Sequence, residues 1–479
     1  MNTVFENTEH YDTHFPPEQE EYALRVQKIL YDRAKAEDKK PGAFIVTFGC
    51  QQNEADSERL MGQAVLLGYR RVTCAEDADL ILYNTCAVRE HAELRALSRT
   101  GALKHLKSQN KNLLIGLWGC MVTQDHRMQD VKMKYPYVDF VAGTNMLHRL
   151  PEILCDVLES GRRRYYVTND PPQTVEDVPV LRENDIKAYV SIMYGCNNFC
   201  TYCVVPYVRG RERSRDPEAV IREVEGLVQS GCRDITLLGQ NVNSYAPAGG
   251  MNFASLLRRL AEIPGDFRLR FMTSHPKDAS DELIEVMAEN EKIARHFHLP
   301  MQSGSTEILR RMNRKYTAES YLALAEKIKE RIPDITLTTD IIVGFPGETE
   351  KDFEDTFSMV ERLRFDSVFS FIFSPRVGTP AADMEDDTPH EEKTARMNRL
   401  LKRQADIAAE DHAKLVGKTL SVLCESKEPN ENGLYLGRTS GNLLVFFESG
   451  AQNGALYGQF VPVRITASGA ANLSGKAEK

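Results

Sequence analysis

Gly195-Cys196-Asn197-Asn198-Phe199-Cys200-Thr201-Tyr202-Cys203 carries three thiols in a C-x3-C-x2-C spacing. The run before it, AYVSIMYG (188–195), has the β-branched and aromatic content of a strand, so the thiols fall on a loop that leaves a strand end. One such loop can wrap a compact inorganic cluster. An iron–sulfur cubane takes four thiolates, and three leave one iron open to a ligand from outside the chain. The competing readings are an incomplete zinc site and buried, inert thiols. Zinc in a structural site takes a closed set of four ligands, and no further Cys or His lies near this loop in sequence, which favours the cluster.

Outward from the loop, residues 188–412 alternate strand-like and helical runs. The strand-like ones are AYVSIMYG, DITLLGQ (234–240), FRLRFMTS (267–274), HFHLPMQ (296–302), ITLTTDIIVGF (335–345) and SVFSFIFSP (367–375). Six βα units fit an open, partial (βα)6 TIM-like barrel rather than a complete eight-unit one, and barrels of this kind build their sites at the C-terminal ends of the strands. Gln240, Asn241, Ser274, His275, Gln302, Ser303, Asp340 and Arg376 fall there. Gly344-Phe345-Pro346-Gly347 adds a turn where glycine lets the backbone come close to a flat ligand.

Residues 41–157 show the same alternation in AFIVTFGC (43–50), ADLILYNTC (78–86), NLLIGLWGC (112–120) and DFVAGT (139–144), the rhythm of a parallel α/β sheet. Cys50, Cys86 and Cys120 each end or follow a strand run. Carboxyl ends of parallel strands converge on one crevice, so these distant thiols can share a second three-thiolate site. They can equally be small core residues, as free cysteines often are. Residues 1–40 read as an extension without chemistry, 158–187 as a polar linker containing Pro171-Pro172, 415–470 as a small antiparallel β-barrel and 471–479 as a frayed tail.

With 479 residues and 42% apolar side chains, the chain is of multidomain globular type, and no apolar run is long enough to cross a bilayer. The polar start has no leader pattern, so a cytoplasmic protein without membrane attachment is expected. Ten cysteines there read as ligands or redox groups rather than disulfides. A net charge of −9 argues against non-specific nucleic-acid affinity, so any RNA contact must use local patches. Arg209, Arg211, Arg213 and Arg215 form one, and Arg310, Arg311, Arg314 and Lys315 another, with guanidinium groups suited to phosphate.

Over about 41–470 the chain resembles the methylthiotransferase family of the radical S-adenosylmethionine superfamily. The resemblance is carried by TFGCQQNEADSE (47–58), GCNNFCTYCVVPYVRGRERSR (195–215), LLGQNVNSY (237–245), MTSHP (272–276), HLPMQSGS (298–305), RMNRKYT (311–317), TTDIIVGFPGET (338–349) and FSPRVGTPAA (373–382). Gln52 stands where the family more often has Met.

The resemblance implies an α/β multidomain protein with an N-terminal parallel α/β domain, a central radical-SAM barrel and a C-terminal barrel of TRAM type. It implies two [4Fe-4S] clusters, one on Cys196, Cys200 and Cys203 that reductively cleaves S-adenosylmethionine, the other on Cys50, Cys86 and Cys120 that supplies sulfur. In the family scheme one S-adenosylmethionine methylates that sulfur and a second yields the 5′-deoxyadenosyl radical. No catalytic residue is expected beyond the cluster ligands.

S-adenosylmethionine is expected on Gln240, Ser274, Gln302, Asp340, Gly344 and Phe345, and RNA on Arg209, Arg211, Arg213, Arg215, Asn241 and Asn243. The segments look most like the branch acting on N6-isopentenyladenosine at position 37 of tRNA. The implied partners are the tRNA anticodon stem-loop, an electron donor and a sulfide source, with the enzyme a monomer. A methylthiotransferase for another target and a non-catalytic iron–sulfur protein are the alternatives, and formation of 5′-deoxyadenosine separates the second of these from the enzymes.

Overall fold

The computed structural model describes residues 14–88, 90–168, 174 and 176–478. Pro171-Pro172 and the first residues of the extension lie outside that set. Two compact units divide the chain: one runs to Asp185 and adds Tyr189–Asn197 and Val204–Gly226, and the other takes Ile186–Ala188, Asn198–Cys203 and everything from Leu227.

The first unit holds a six-stranded sheet in the order Arg70–Arg71, Gly42–Phe48, Leu80–Thr85, Leu114–Gly119, Phe140–Ala142, Arg164–Tyr166. Every pairing is parallel. Leu80–Thr85 and Leu114–Gly119 are buried along their whole length, as expected of near-continuous apolar runs covered on both faces. The last strand lies beyond residue 157, in the stretch read as linker. Its sequence, Arg-Tyr-Tyr, shows no apolar alternation, and Arg164 is held by a bidentate pair to Asp156 at 2.6 and 3.0 Å. The extension also belongs to this unit: helix Pro17–Glu37 puts Ala23, Val26 and Leu30 into one core with Leu60, Tyr69 and Leu154.

Beside that core runs a buried ion network. Arg215 donates to Glu223 and Glu176 at 2.6 and 2.7 Å, while Arg182 donates to Glu223 at 2.6 Å and Glu58 at 2.9 Å. Burial opposes the charge on Glu223, yet Arg215, Arg182 and Arg59 outweigh it and hold the carboxyl down at about 2. Removing one partner strands a buried charge, so Arg215→Ala is expected to lower unfolding free energy by roughly 3–5 kcal/mol. Urea unfolding of the metal-free protein measures this, and a loss under about 1 kcal/mol would mean that water already solvates the network.

Two three-stranded sheets form the partial barrel, Lys187–Ser191, Asp234–Leu238, Arg268–Phe271 and His296–His298, Thr336–Val343, Ser367–Ile372, and all of it but Tyr189–Ser191 belongs to the second unit. A parallel bridge between Leu269 and Ile293 connects the two. Past helix His390–Ala413, a closed five-stranded barrel follows in the order Thr419–Cys424, Tyr435–Thr439, Leu444–Glu448, Leu473–Ala477, Phe460–Ser468. The tail read as frayed is therefore the closing strand. It pairs parallel with Leu444–Glu448 and antiparallel with Phe460–Ser468. Leu473 is its only large apolar side chain, fully buried, and the main-chain ladder supplies the rest.

The turn after Tyr435–Thr439 docks on the N-terminal ends of the large barrel's strands. Arg270 donates to Ser440 O and Thr439 O, each at 2.8 Å, Arg268 donates to Thr439 O at 3.0 Å, and Arg295 N donates to Ser440 Oγ at 2.9 Å. A Cβ on Gly441 would stand 2.1 Å from Thr336 Oγ1, so only glycine lets the turn come this close.

Candidate cluster and cofactor sites

Sheet register brings the N-terminal thiols together. Phe48 pairs with Thr85 and Thr85 with Gly119, so Cys50, Cys86 and Cys120, one or two residues further on, leave the sheet along one edge. Gly119 turns the chain at φ 100°, where a Cβ would meet Thr85 O at 2.5 Å. Cys50 caps helix Gln51–Leu67. Its Sγ donates to Asn53 Oδ1 at 3.2 Å, and Asn53 Nδ2 donates to Asn84 Oδ1 and Thr85 O at 3.0 and 3.1 Å. Asn84 Nδ2 in turn donates to Asn53 O at 2.8 Å. The two asparagines tie the first two thiol-bearing turns to each other, and Gln52 Nε2 donates to Ser191 Oγ at 2.8 Å.

The thiols are free cysteines that influence one another. A hydrogen bond from Cys86, the nearby Arg209 guanidinium and the backbone N–H groups of the helix start pull the exposed Cys50 down to about 6. The same Cys50–Cys86 bond and burial push Cys86 up, and burial pushes Cys120 up. Three converging thiols without disulfide partners, one favouring thiolate, are the donor set an iron–sulfur cluster needs. Among the described residues no three His, Cys, Asp or Glu are placed to hold a single metal ion.

Arg209 and Arg215 do not form a phosphate patch. Both are buried; Arg209 donates to Asp56 Oδ2 at 2.9 Å, and Arg215 belongs to the ion network above. Arg213 lies over the Tyr194 ring at 5.9 Å and donates to Arg211 O at 2.8 Å, and Arg211 is exposed. The R-x-R-x-R-x-R spacing gives no sign of which arginines the fold buries.

The unit division falls inside the core thiol loop. On one side Cys196 N donates to Gly210 O at 3.1 Å, and Gly195, at φ 79°, leaves no room for a Cβ, which would stand 2.1 Å from Arg211 O. On the other, Cys200 Sγ accepts from Arg314 Nη1 at 3.3 Å and Cys203 N donates to Cys200 O at 2.9 Å. Arg314 also donates to Pro300 O and Tyr316 Oη, at 3.1 and 2.9 Å, so this buried arginine serves the thiol loop and not a phosphate. Arg310 is exposed and paired with Glu307.

Polar atoms without partners gather at the strand ends of the second unit. Asn241 Oδ1, both amide atoms of Asn243, Ser274 Oγ and Gln302 Oε1 are buried and unpaired. Asn241 Nδ2 donates to Asp278 at 2.7 Å. Thr273 and Gln302 hold positive φ, 70° and 69°, and Gln302 is pinned by backbone bonds to Asp340 O and from Ile342 N at 2.8 and 3.0 Å. Unpaired buried polar groups beside strained backbone are what a bound polar ligand would satisfy. Asn241 and Asn243, assigned to RNA from the sequence, thus share the features of the residues assigned to the cofactor. Gln240 is half-buried. Burial and Arg314 push His275 down to about 2, so its neutral ring is no proton acceptor near neutral pH.

Asp340 Oδ2 lies 3.4 Å from His298 Nε2. In register with Asp340 and Ile342 stand Phe369 and Phe371, 46% and 38% exposed, with the Phe369 ring edge-on to His298 at 5.7 Å. The Gly344–Gly347 turn approaches the protein's own side chains rather than open space. A Cβ on Gly344 would meet Lys393 at 2.5 Å and one on Gly347 would meet Arg311 Nη1 at 1.8 Å. Phe345 is fully buried among Met312, Phe373 and Ala381, with Tyr202 against them, so its ring supports the thiol loop from inside the core. The sequence reading missed Asn53, Asp56 and Asn84, although the first two lie in the quoted segment 47–58, three and six residues after Cys50, and Asn84 lies two before Cys86.

The fold and these sites define a radical SAM protein. The Radical SAM superfamily profile matches residues 190–360, the uncharacterized protein family UPF0004 matches 42–143, and the TRAM domain matches 413–477. The chain belongs to the tRNA-2-methylthio-N(6)-dimethylallyladenosine synthase family. It is 47% identical to the Acetivibrio thermocellus synthase over 459 residues, 95% of each chain. It is 48% identical to that of Clostridium novyi over 437 residues, 90% of this chain and 96% of the relative. Among solved structures, the radical S-adenosylmethionine methyltransferase TsrM of Kitasatospora setae superposes with TM-score 0.54 at 15% identity, covering 71% of this chain and 75% of its own. At that identity the likeness concerns the fold alone.

Proposed function

We propose that this chain converts N6-isopentenyladenosine (N6-dimethylallyladenosine) at position 37 of tRNA to its 2-methylthio derivative. The observation that carries the reading is the pairing of two separate three-thiol sets in one chain of this family. Cys196, Cys200 and Cys203 would hold one [4Fe-4S] cluster, Cys50, Cys86 and Cys120 a second. When bound, these groups supply reductive cleavage of S-adenosylmethionine at the first site and sulfur at the second.

The protein's part is orientation and exclusion of water. Asn241, Asn243, Ser274 and Gln302 offer unpaired buried amide and hydroxyl atoms that would fix the polar ends of S-adenosylmethionine. His275 stays neutral here and is not assigned a role as base. Phe369 and Phe371 give the half-open barrel face an apolar surface on which a prenyl group would bury at about 25 cal/mol per Å². On this reading the tRNA anticodon stem-loop, an electron donor and a sulfide source are the partners, and the enzyme works as a monomer in the cytoplasm. No described helix is long and apolar enough to cross a membrane.

The test presents the reconstituted enzyme with matched stem-loops bearing isopentenyladenosine, threonylcarbamoyladenosine or plain adenosine, with nucleoside products read by mass spectrometry. The isopentenyl substrate is expected to give at least ~10-fold more product than plain adenosine, the ratio that about 1.4 kcal/mol of prenyl burial produces. Preference for the threonylcarbamoyl substrate would overturn the branch assignment while leaving the two-cluster chemistry in place.

A further inference from the structure

Asp56 and Arg209 form an ion pair with no role in the reading above. They meet at 2.9 Å with side chains only 8% and 6% exposed. Arg209 ends the short helix Val205–Arg209, which begins two residues after Cys203 in sequence. That helix is fixed in place: Val204 and Val208 pack with Ala87 and Cys120, and Thr144 Oγ1 donates to Val208 O at 2.7 Å. The guanidinium acts electrostatically on both Cys120 and Cys50. Asp56 lies on helix Gln51–Leu67, capped by Cys50, and its other oxygen accepts from Gln52 Nε2 at 3.1 Å. A buried cation with one carboxylate partner therefore stands near the Cys50 and Cys120 members of the set.

We propose that Asp56 and Arg209 are positioning residues for the second cluster, Arg209 supplying the positive charge that favours its reduced form and Asp56 fixing and partly offsetting that charge. The inference rests on reading these three cysteines as cluster ligands. Its physical basis is simple. Each thiolate brings a negative charge, and taking up an electron adds another. A guanidinium shielded from water lowers the cost of that electron, and a carboxylate in the same place raises it. Burial keeps salt from screening either effect.

The pair makes a prediction with opposite signs. In the full-length Cys196→Ala, Cys200→Ala, Cys203→Ala background, only the second cluster remains, and its potential is read by dithionite titration followed by electron paramagnetic resonance. Arg209→Gln is expected to lower the potential, Asp56→Asn to raise it, and Arg209→Lys to leave it nearer the parent than Arg209→Gln does. Equal potentials in all variants, or shifts of one sign, would overturn the inference, because a purely structural pair would change iron content without signed shifts. Should Arg209→Gln lose its iron, the contrast between Asp56→Asn and Arg209→Lys decides: a fall in potential for Asp56→Asn counts against the proposal. Absence of iron from the parent background overturns the cluster assignment itself, a separate outcome.

Discussion

Full-length protein carrying Cys50→Ala, Cys86→Ala and Cys120→Ala is expected to form 5′-deoxyadenosine and no methylthiolated nucleoside. The three thiols leave one sheet edge in register, and none belongs to the C-x3-C-x2-C loop. Cys86 and Cys120 are buried, but replacing a small thiol by a methyl group removes little volume, so the fold should survive with a loss of about 1 kcal/mol per site. Iron should fall to about half, as the proposal that each set of three thiols holds its own cluster requires. The reciprocal variant, Cys196→Ala with Cys200→Ala and Cys203→Ala, should retain the other half and lose both 5′-deoxyadenosine and product. Anaerobic reconstitution, iron analysis and chromatography of the nucleosides measure all of this. Normal methylthiolation by the first variant would show that its thiols do not carry the sulfur. Iron near zero in either folded variant would show that the two sites are not independent.

The sequence made the barrel legible because its strands are runs rich in β-branched, aromatic and other apolar residues between polar helical stretches, and the thiol loop marks the first strand end. The second thiol set was legible only as a rule about strand ends; register and the Asn53–Asn84 bonds are what bring Cys50 and Cys86 together. Charge was the least legible feature. Arg209, Arg211, Arg213 and Arg215 look alike in sequence, yet two are buried in ion pairs and one is exposed. What separates them is the location of Asp56, Glu176 and Glu223, whose sequence distances from the arginines carry no periodic signal. Arg314 was misread in the same way, since only folding places Cys200 and Pro300 around it. The closing strand Leu473–Ala477 escaped because small and polar residues there depend on the ladder rather than on side-chain burial.

Truncation before Leu415 is expected to destabilise the central barrel and impair cofactor cleavage, and not only to weaken RNA binding. From sequence the last domain looks separable, since it contains none of the proposed cluster ligands. The structure instead places it in the same compact unit as the barrel. Arg268 and Arg270 are buried with Asp234, and their remaining N–H groups donate to Thr439 O and Ser440 O. Arg268 also lies 4.9 Å from the Phe460 ring, and burial together with Arg270 pulls it down to about 10. His412, at the end of the closing helix, bonds Gly469 O at 2.8 Å. Hydrogen bonds to charged groups are worth about 1.5–3 kcal/mol each, so losing this set costs on the order of 5 kcal/mol even after water replaces part of it. Because the strand carrying these arginines leads into Ser274, and the strand paired with it, which carries Asp234, leads into Gln240, loosening them disturbs two of the residues proposed to hold the cofactor. A point variant separates this effect from loss of RNA contact. Gly441→Val keeps the whole last domain but forces its docking turn away from Thr336. Both proteins are expected to show lower thermal midpoints and slower 5′-deoxyadenosine formation without any tRNA present. A truncated chain with the parent's midpoint and uncoupled cleavage rate would refute the docking role and leave the last domain as an appended RNA-binding module.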